Sequence, residues 1–150
     1  MSTRRPERVL VTGASRGIGR AIALHLALEG RMVAALGRDK AALDALDAEL
    51  RARKGTGRIV PLVLDLDDGA ELASAVARAE ALIGRLDGLV PAAAIAEHRA
   101  LPAITEDAID AHFRTNVRAP LLLVRDFAAR ASAGAAVVML ASTLGERPAL

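Results

Sequence analysis

The run Thr12-Gly13-Ala14-Ser15-Arg16-Gly17-Ile18-Gly19 constrains this chain more than any other, because it joins a short apolar segment, Arg8 to Thr12, to a helical pattern reaching about Glu29. Each glycine of a G-x-x-x-G-x-G spacing at a strand-to-helix junction has its own physical reason. Gly13 allows a tight turn, Gly17 lets the backbone approach a phosphate group, and Gly19 lets the helix pack closely on the strand. The first-turn N–H groups have no partner inside the helix and sit at the positive end of its dipole, so the junction suits an anion. The other common phosphate loop requires Gly-Lys-Ser/Thr, which is missing here.

Beyond this junction the chain alternates strands and helices. Arg8 to Thr12 is the first strand; in the first helix Ile18, Ile22 and Leu26 recur at four-residue spacing, with Gly30 as C-cap. Arg31 to Gly37 is the second strand, and Asp39 caps a second helix with Leu43, Leu46 and Leu50 on one face, closed by Gly55. Arg58 to Asp65 is the third strand, and Pro61, which lacks a ladder donor, puts it at an edge. Asp67 or Asp68 caps a helix with Leu72, Val76, Ala79 and Ile83 inward, ending near Gly84, and Leu86 to Ala92 is the fourth strand. After a longer loop, Thr105 caps a last helix with Ile109, Phe113, Val117, Leu121 and Val124 toward the core, bent at Pro120. Ala135 to Ser142 is the fifth strand, and Gly145 and Pro148 read as loop.

Right-handed crossovers turn five strands and four helices into an α/β fold with a doubly wound parallel sheet, and the edge position of the third strand implies the order 3-2-1-4-5. Ligands bind such sheets at the carboxyl ends of the strands where the order reverses, here between strands one and four.

Composition narrows the function. The 150 residues, 53% of them hydrophobic, suffice for one compact domain, and without cysteine there are no disulfides, thiolate nucleophiles or Cys-bound zinc, which fits a cytoplasmic protein. No stretch has the length of a membrane span, and the apolar run before Gly13 is too short for a signal sequence. Residues 1–60 carry a net charge of +6 and residues 61–150 a net −4, yet no tyrosine or tryptophan is present to stack on bases. A small phosphate-bearing ligand therefore fits the basic half better than nucleic acid. His25, His98 and His112 lack metal-ligand spacing, and Glu106 and Asp107 follow Thr105 where they complement the helix dipole, so no metal is expected.

The segment TGASRGIG resembles the short-chain dehydrogenase/reductase family, in its compact subgroup, and the resemblance runs from about Arg8 to the last residue. Later segments match in order: GRD after strand two, LDL after strand three, LVPAAA at strand four, TNVRAP in the long helix and MLASTLG at strand five. The resemblance implies a single Rossmann-type NAD(P)-binding domain, truncated after strand five. It implies cofactor contacts from Gly13, Ser15, Arg16, Gly17, Ile18, Gly19, Arg38, Asp65, Leu66, Ala92 and Ala94. An acidic residue at the end of strand two would favour NAD(H); Gly37-Arg38 stands there instead, and Arg38 with Arg16 implies NADP(H) over NAD(H). Asp65 matches the carboxylate that accepts from the adenine amine. Pro91-Ala92-Ala93-Ala94 departs from the usual Asn-Asn-Ala-Gly.

The family transfers hydride between nicotinamide and a carbonyl or alcohol. Asn116 matches the asparagine that holds a relay water, and Ser142 the serine that orients the substrate oxygen. The Tyr-x-x-x-Lys step should follow a little over a dozen residues beyond Ser142, but the sequence ends at Leu150 and holds no tyrosine, so the 150 residues alone are expected to be inactive or nearly so. The competing expectation is a non-catalytic dinucleotide-binding module that ends at residue 150. Pro91-Ala-Ala-Ala favours the module; Asn116 and Ser142 oppose it. A transferase using an adenosyl cofactor is opposed by Arg16 and Arg38, because that cofactor carries no phosphate. Relatives of full length imply a homo-oligomer, dimer or tetramer, through the long helix.

Overall fold

Apolar alternation along the strands divides the core between the two faces of one sheet, as the computed structural model of residues 7–142 displays. The strands β1 (Arg8–Thr12), β2 (Met32–Gly37), β3 (Arg58–Val63), β4 (Gly88–Val90) and β5 (Ala136–Val137) pair in parallel in the order β3-β2-β1-β4-β5. Val9, Val11 and Val33 meet helices α1 (Gly17–Leu28) and α2 (Lys40–Ala52) on one face. Leu10, Leu36 and Leu62 meet α3 (Gly69–Ile83) and the last helix on the other. The doubly wound α/β sheet and its strand order are thus as expected. Pro61 lies opposite Ala35 on the edge strand, where its missing N–H costs no ladder bond on the open side.

Three helix starts carry the side-chain caps expected of them. Asp39 accepts from the N–H of Ala42, Asp68 from those of Ala70 and Glu71, and Thr105 from that of Ala108. At the end of α1 the C-cap is Glu29, and Gly30 follows it in the left-handed region at φ 88°.

Two helices turn a different face inward than their aliphatic spacing suggests. The seam of α1 is Gly19, Ala23 and Ala27 with Leu24, while Ile18 is 67% exposed and Ile22 and Leu26 only flank the core. The cause is distance: a Cβ on Gly19 would stand 2.5 Å from the Gly13 oxygen and 2.9 Å from the Thr12 oxygen. A helix that close to the sheet leaves room for small residues at the points of closest approach.

The last helix is continuous but not uniform. It consists of α4 (Glu106–Phe113), a π-helical turn (Arg114–Arg118) and α5 (Ala119–Ala128). Ala119, Pro120, Leu123 and Phe127 are buried, whereas Phe113 is 62% and Leu121 63% exposed, with Ile109 and Val117 also outward. Of the expected stripe only Val124 packs partly on the core. A proline ring inside a helix crowds the carbonyl four residues back, here that of Asn116, and cannot donate to it. The π turn widens the helix there, and its extra residue rotates the upstream stripe away from the sheet.

The strands are shorter at their ends than expected. Chain pairing at β5 is confined to Ala136 and Val137, opposite Gly88 and Leu89 of the three-residue β4. The loop at Gly145 and Pro148 lies outside the described residues.

The inward face of α1 makes Gly19 and Ile18 opposite cases. In urea unfolding, Gly19→Ala is expected to destabilise the fold by about 1–3 kcal/mol, as overpacking does. Ile18→Ala should change stability by no more than about 0.5 kcal/mol, as at other exposed positions.

Candidate functional site

The site begins where β1 ends. Thr12 is fully buried, and its Oγ1 accepts from the N–H groups of both Ala92 and Ala93 at 3.1 Å, which ties the segment after β4 to the end of β1. Gly13, at φ 66°, makes that approach possible, since a Cβ there would meet the Ala93 Cα at 2.7 Å and the Ala92 oxygen at 2.9 Å. The Ala14 N–H donates to the Leu36 carbonyl at 2.9 Å and fastens the same turn to β2.

A groove of about 450 Å³ opens above these strand ends. Gly13, Ser15, Arg16, Gly17, Ile18, Gly19, Arg38, Asp65, Leu66, Ala92 and Ala94, read from the sequence as cofactor contacts, all line it. Asp67, Ala93, Ile95, Ala111 and Thr115 line it as well and were not singled out. Ala93 lies inside the segment LVPAAA and Thr115 opens TNVRAP, both already matched, and Asp67 directly follows LDL; Ala111, one helical turn before Thr115, carries no signal in its residue type.

The floor of the groove is the start of α1. Arg16 precedes it in extended conformation and gives no side-chain cap, so the first-turn N–H groups are left to whatever occupies the groove. Gly17 sits at φ 58°, and a Cβ on it would point into open space, a cradle that a side chain would fill. On the rim, Arg38 follows β2 with its Nη1 3.6 Å from Asp65 Oδ2. Ion pairing at that distance on a surface is loose enough for the guanidinium to turn to a ligand. An uncapped helix start, an open cradle and two arginines fit a dinucleotide carrying a third phosphate.

Of the two expected catalytic residues, Asn116 lies beside the groove. Its Oδ1 accepts from the Ile95 N–H at 2.9 Å and its Nδ2 donates to the Ile95 carbonyl at 2.8 Å. Ser142 is exposed and follows β5 outside the groove lining. In the loop after β4, hydrogen bonds from Arg99 hold the Glu97 carboxyl below the usual carboxylate range.

A family model for short chain dehydrogenases matches residues 7–150. The chain belongs to the short-chain dehydrogenase family. An uncharacterized short-chain type dehydrogenase/reductase of Sinorhizobium fredii is 44% identical over 123 residues, covering 81% of this chain and 44% of that protein. An L-xylulose reductase of Caenorhabditis elegans is 37% identical over 146 residues, covering 95% and 56%. Among solved structures, a short chain dehydrogenase of Burkholderia cenocepacia in complex with NADP superimposes with a TM-score of 0.88 at 35% identity, covering 95% of this chain and 58% of that one. This short-chain dehydrogenase sequence therefore spans about half the length of the curated relatives it matches.

Its departure from the family pattern falls at Pro91-Ala92-Ala93-Ala94. Pro91 is buried directly after β4, and the donor it lacks is not one that Thr12 uses. Thr12→Val should leave the N–H groups of Ala92 and Ala93 without an acceptor and cost about 1–3 kcal/mol in chemical unfolding. Thr12→Ser, which keeps the oxygen, should recover most of the loss.

Proposed function

We propose that these residues form the NADP(H)-binding part of an oxidoreductase that moves a hydride between nicotinamide and a carbonyl or alcohol of a small molecule. The observation that carries the proposal is the groove at the strand ends, where the uncapped start of α1 meets a rim bearing Arg16 and Arg38. The NADP bound by the Burkholderia neighbour and the reductase activity named for the nematode relative support it.

NADP(H) supplies the hydride or takes it up. The start of α1 holds the pyrophosphate by its free N–H groups, with Gly13, Ser15, Gly17 and Gly19 leaving room for it. Arg38 and Arg16 take the 2′-phosphate by charge-assisted hydrogen bonds, and no carboxylate at the end of β2 repels it. Asp65 and Leu66 bound the adenine; Ile18, Ala92 and Ala94 bound the rest of the nucleotide. Asn116 holds a relay water while fastening Ile95, and Ser142 orients the substrate oxygen. A proton must accompany the hydride, and no tyrosine occurs among the 150 residues. We therefore assign the acid–base step to residues other than these.

Charge-assisted hydrogen bonds are worth about 1.5–3 kcal/mol, and exposure puts Arg38 near the lower end. Titration should show Arg38→Ala weakening NADPH about tenfold while leaving NADH within about twofold. An unchanged ratio would move the preference to another residue. The 150-residue chain should bind NADPH without reducing ketones, and the native gene product should do both; turnover by the short chain would refute the assignment of the proton donor. The outward stripe of Ile109, Phe113, Val117 and Leu121 is the face through which we expect two copies to associate. Leu121→Arg should shift the native product toward monomer in light scattering.

A further inference from the structure

Both walls of the groove are fastened to one turn of the long helix. The segment after β4 is held by Asn116 through the main chain of Ile95. The turn after β3 is held from the same π turn by Arg114, whose Nε donates to Asp67 Oδ1 at 2.7 Å across 47 positions of sequence. Residues two apart on a helix face different ways, so Arg114 and Asn116 reach opposite walls from neighbouring positions.

The turn gripped by Arg114 is stiff within itself. The Asp67 N–H donates to Asp65 Oδ1 at 3.0 Å, the Asp65 N–H donates to Glu71 Oε2 at 2.5 Å, and Asp68 caps α3. A second arginine one turn on, Arg118, lies over the start of α3, with Nη2 3.0 Å from where a Gly69 Cβ would stand. Asp65 in turn faces Arg38 at 3.6 Å. A continuous path of polar contacts thus leads from Arg114 through Asp67 and Asp65 to Arg38. Arg114 does not line the groove, although Ala111 and Thr115 on either side of it do.

We propose that Arg114 is a positioning residue for the adenine–ribose end of the cofactor: by holding Asp67 it sets where Asp65 stands, and Asp65 sets where Arg38 meets the 2′-phosphate. This rests on the NADP(H) reading above. Both side chains of the Arg114–Asp67 pair are about two-fifths exposed, at 41% and 44%, so the effect is modest. Loss of an exposed pair of this kind corresponds to about a two- to fivefold change in an equilibrium constant.

The test is calorimetric titration of the native gene product with 2′,5′-ADP, which carries adenine, ribose and the 2′-phosphate but no nicotinamide, and with 5′-AMP. Arg114→Ala is expected to weaken 2′,5′-ADP by about two- to fivefold and 5′-AMP less, because the path ends on Arg38. Arg114→Lys should recover part of the loss, and Arg125→Ala, which removes an exposed charge elsewhere on the same helix, should change neither ligand. In an Asp67→Asn background, Arg114→Ala should have no further effect. Equal weakening of both ligands, an unchanged 2′,5′-ADP affinity, or a loss that persists undiminished in the Asp67→Asn background would each overturn the proposal. Failure of the unsubstituted protein to bind either NADPH or 2′,5′-ADP is a different result: it refutes the NADP(H) reading itself and this inference with it.

Discussion

Everything at the strand ends depends on the contact between β1, the start of α1 and the segment after β4. At that corner the direction of the Gly19 Cβ points at the Gly13 carbonyl 2.5 Å away, and that of Gly13 at the Ala93 backbone 2.7 Å away. Three backbone segments share a space that a methyl group would overfill. Such a contact brings main-chain donors within reach of an anion, but it also draws α1 so near the sheet that Gly19, Ala23 and Ala27 line the seam, with Leu24 buried beside them. The packing of that face and the shape of the groove are therefore one constraint. The Thr12 hydroxyl completes it by supplying an acceptor to two N–H groups that the close approach turns inward.

The long helix depends on a second constraint, the collision between Pro120 and the carbonyl of Asn116. Widening the helix into a π turn relieves that collision and shifts every upstream side chain around the axis. Downstream, Leu123 and Phe127 are buried against α3 and the sheet; upstream, Phe113 stands in solvent. The same turn carries Asn116, whose amide satisfies both main-chain groups of Ile95 beside the groove. A local irregularity thus decides which stripe builds the core and which polar side chain reaches the site.

Features that depend on a residue's own backbone chemistry were legible in the sequence. Pro61 marked an edge, Asp39, the Asp67-Asp68 pair and Thr105 marked helix starts, and the glycine spacing marked the turn into α1. Because a parallel sheet gathers the carboxyl ends of its strands, segments noted separately at those ends were bound to share one groove, and all eleven proposed cofactor contacts do line it. Properties that depend on the distance between elements were not legible. The spacing of Ile18, Ile22 and Leu26 says that α1 has an apolar stripe, but not that the sheet lies too near to accept it. Likewise the stripe from Ile109 to Leu121 keeps its period only if every turn has the same width. The eight residues from Ala135 to Ser142 suit a strand by type, yet only Ala136 and Val137 pair with β4.

Pro91-Ala92-Ala93-Ala94 shows how the groove keeps its wall without the side-chain amides usual in the family. Rigidity after β4 comes from three sources that do not need those side chains. The proline ring fixes one backbone angle at a buried position. Thr12 holds the next two N–H groups, and Asn116 holds both main-chain groups of Ile95. Ala94 alone among these residues is exposed, so the free side of the segment faces the groove while its main chain is tied from behind. Small side chains there leave volume that asparagine would occupy, and the loss of the amides leaves no buried side-chain nitrogen or oxygen without a partner among the described residues. The wall is accordingly as well determined as the two residues that hold it, Thr12 from the sheet and Asn116 from the helix, and neither can be replaced by the other because they bind different main-chain groups.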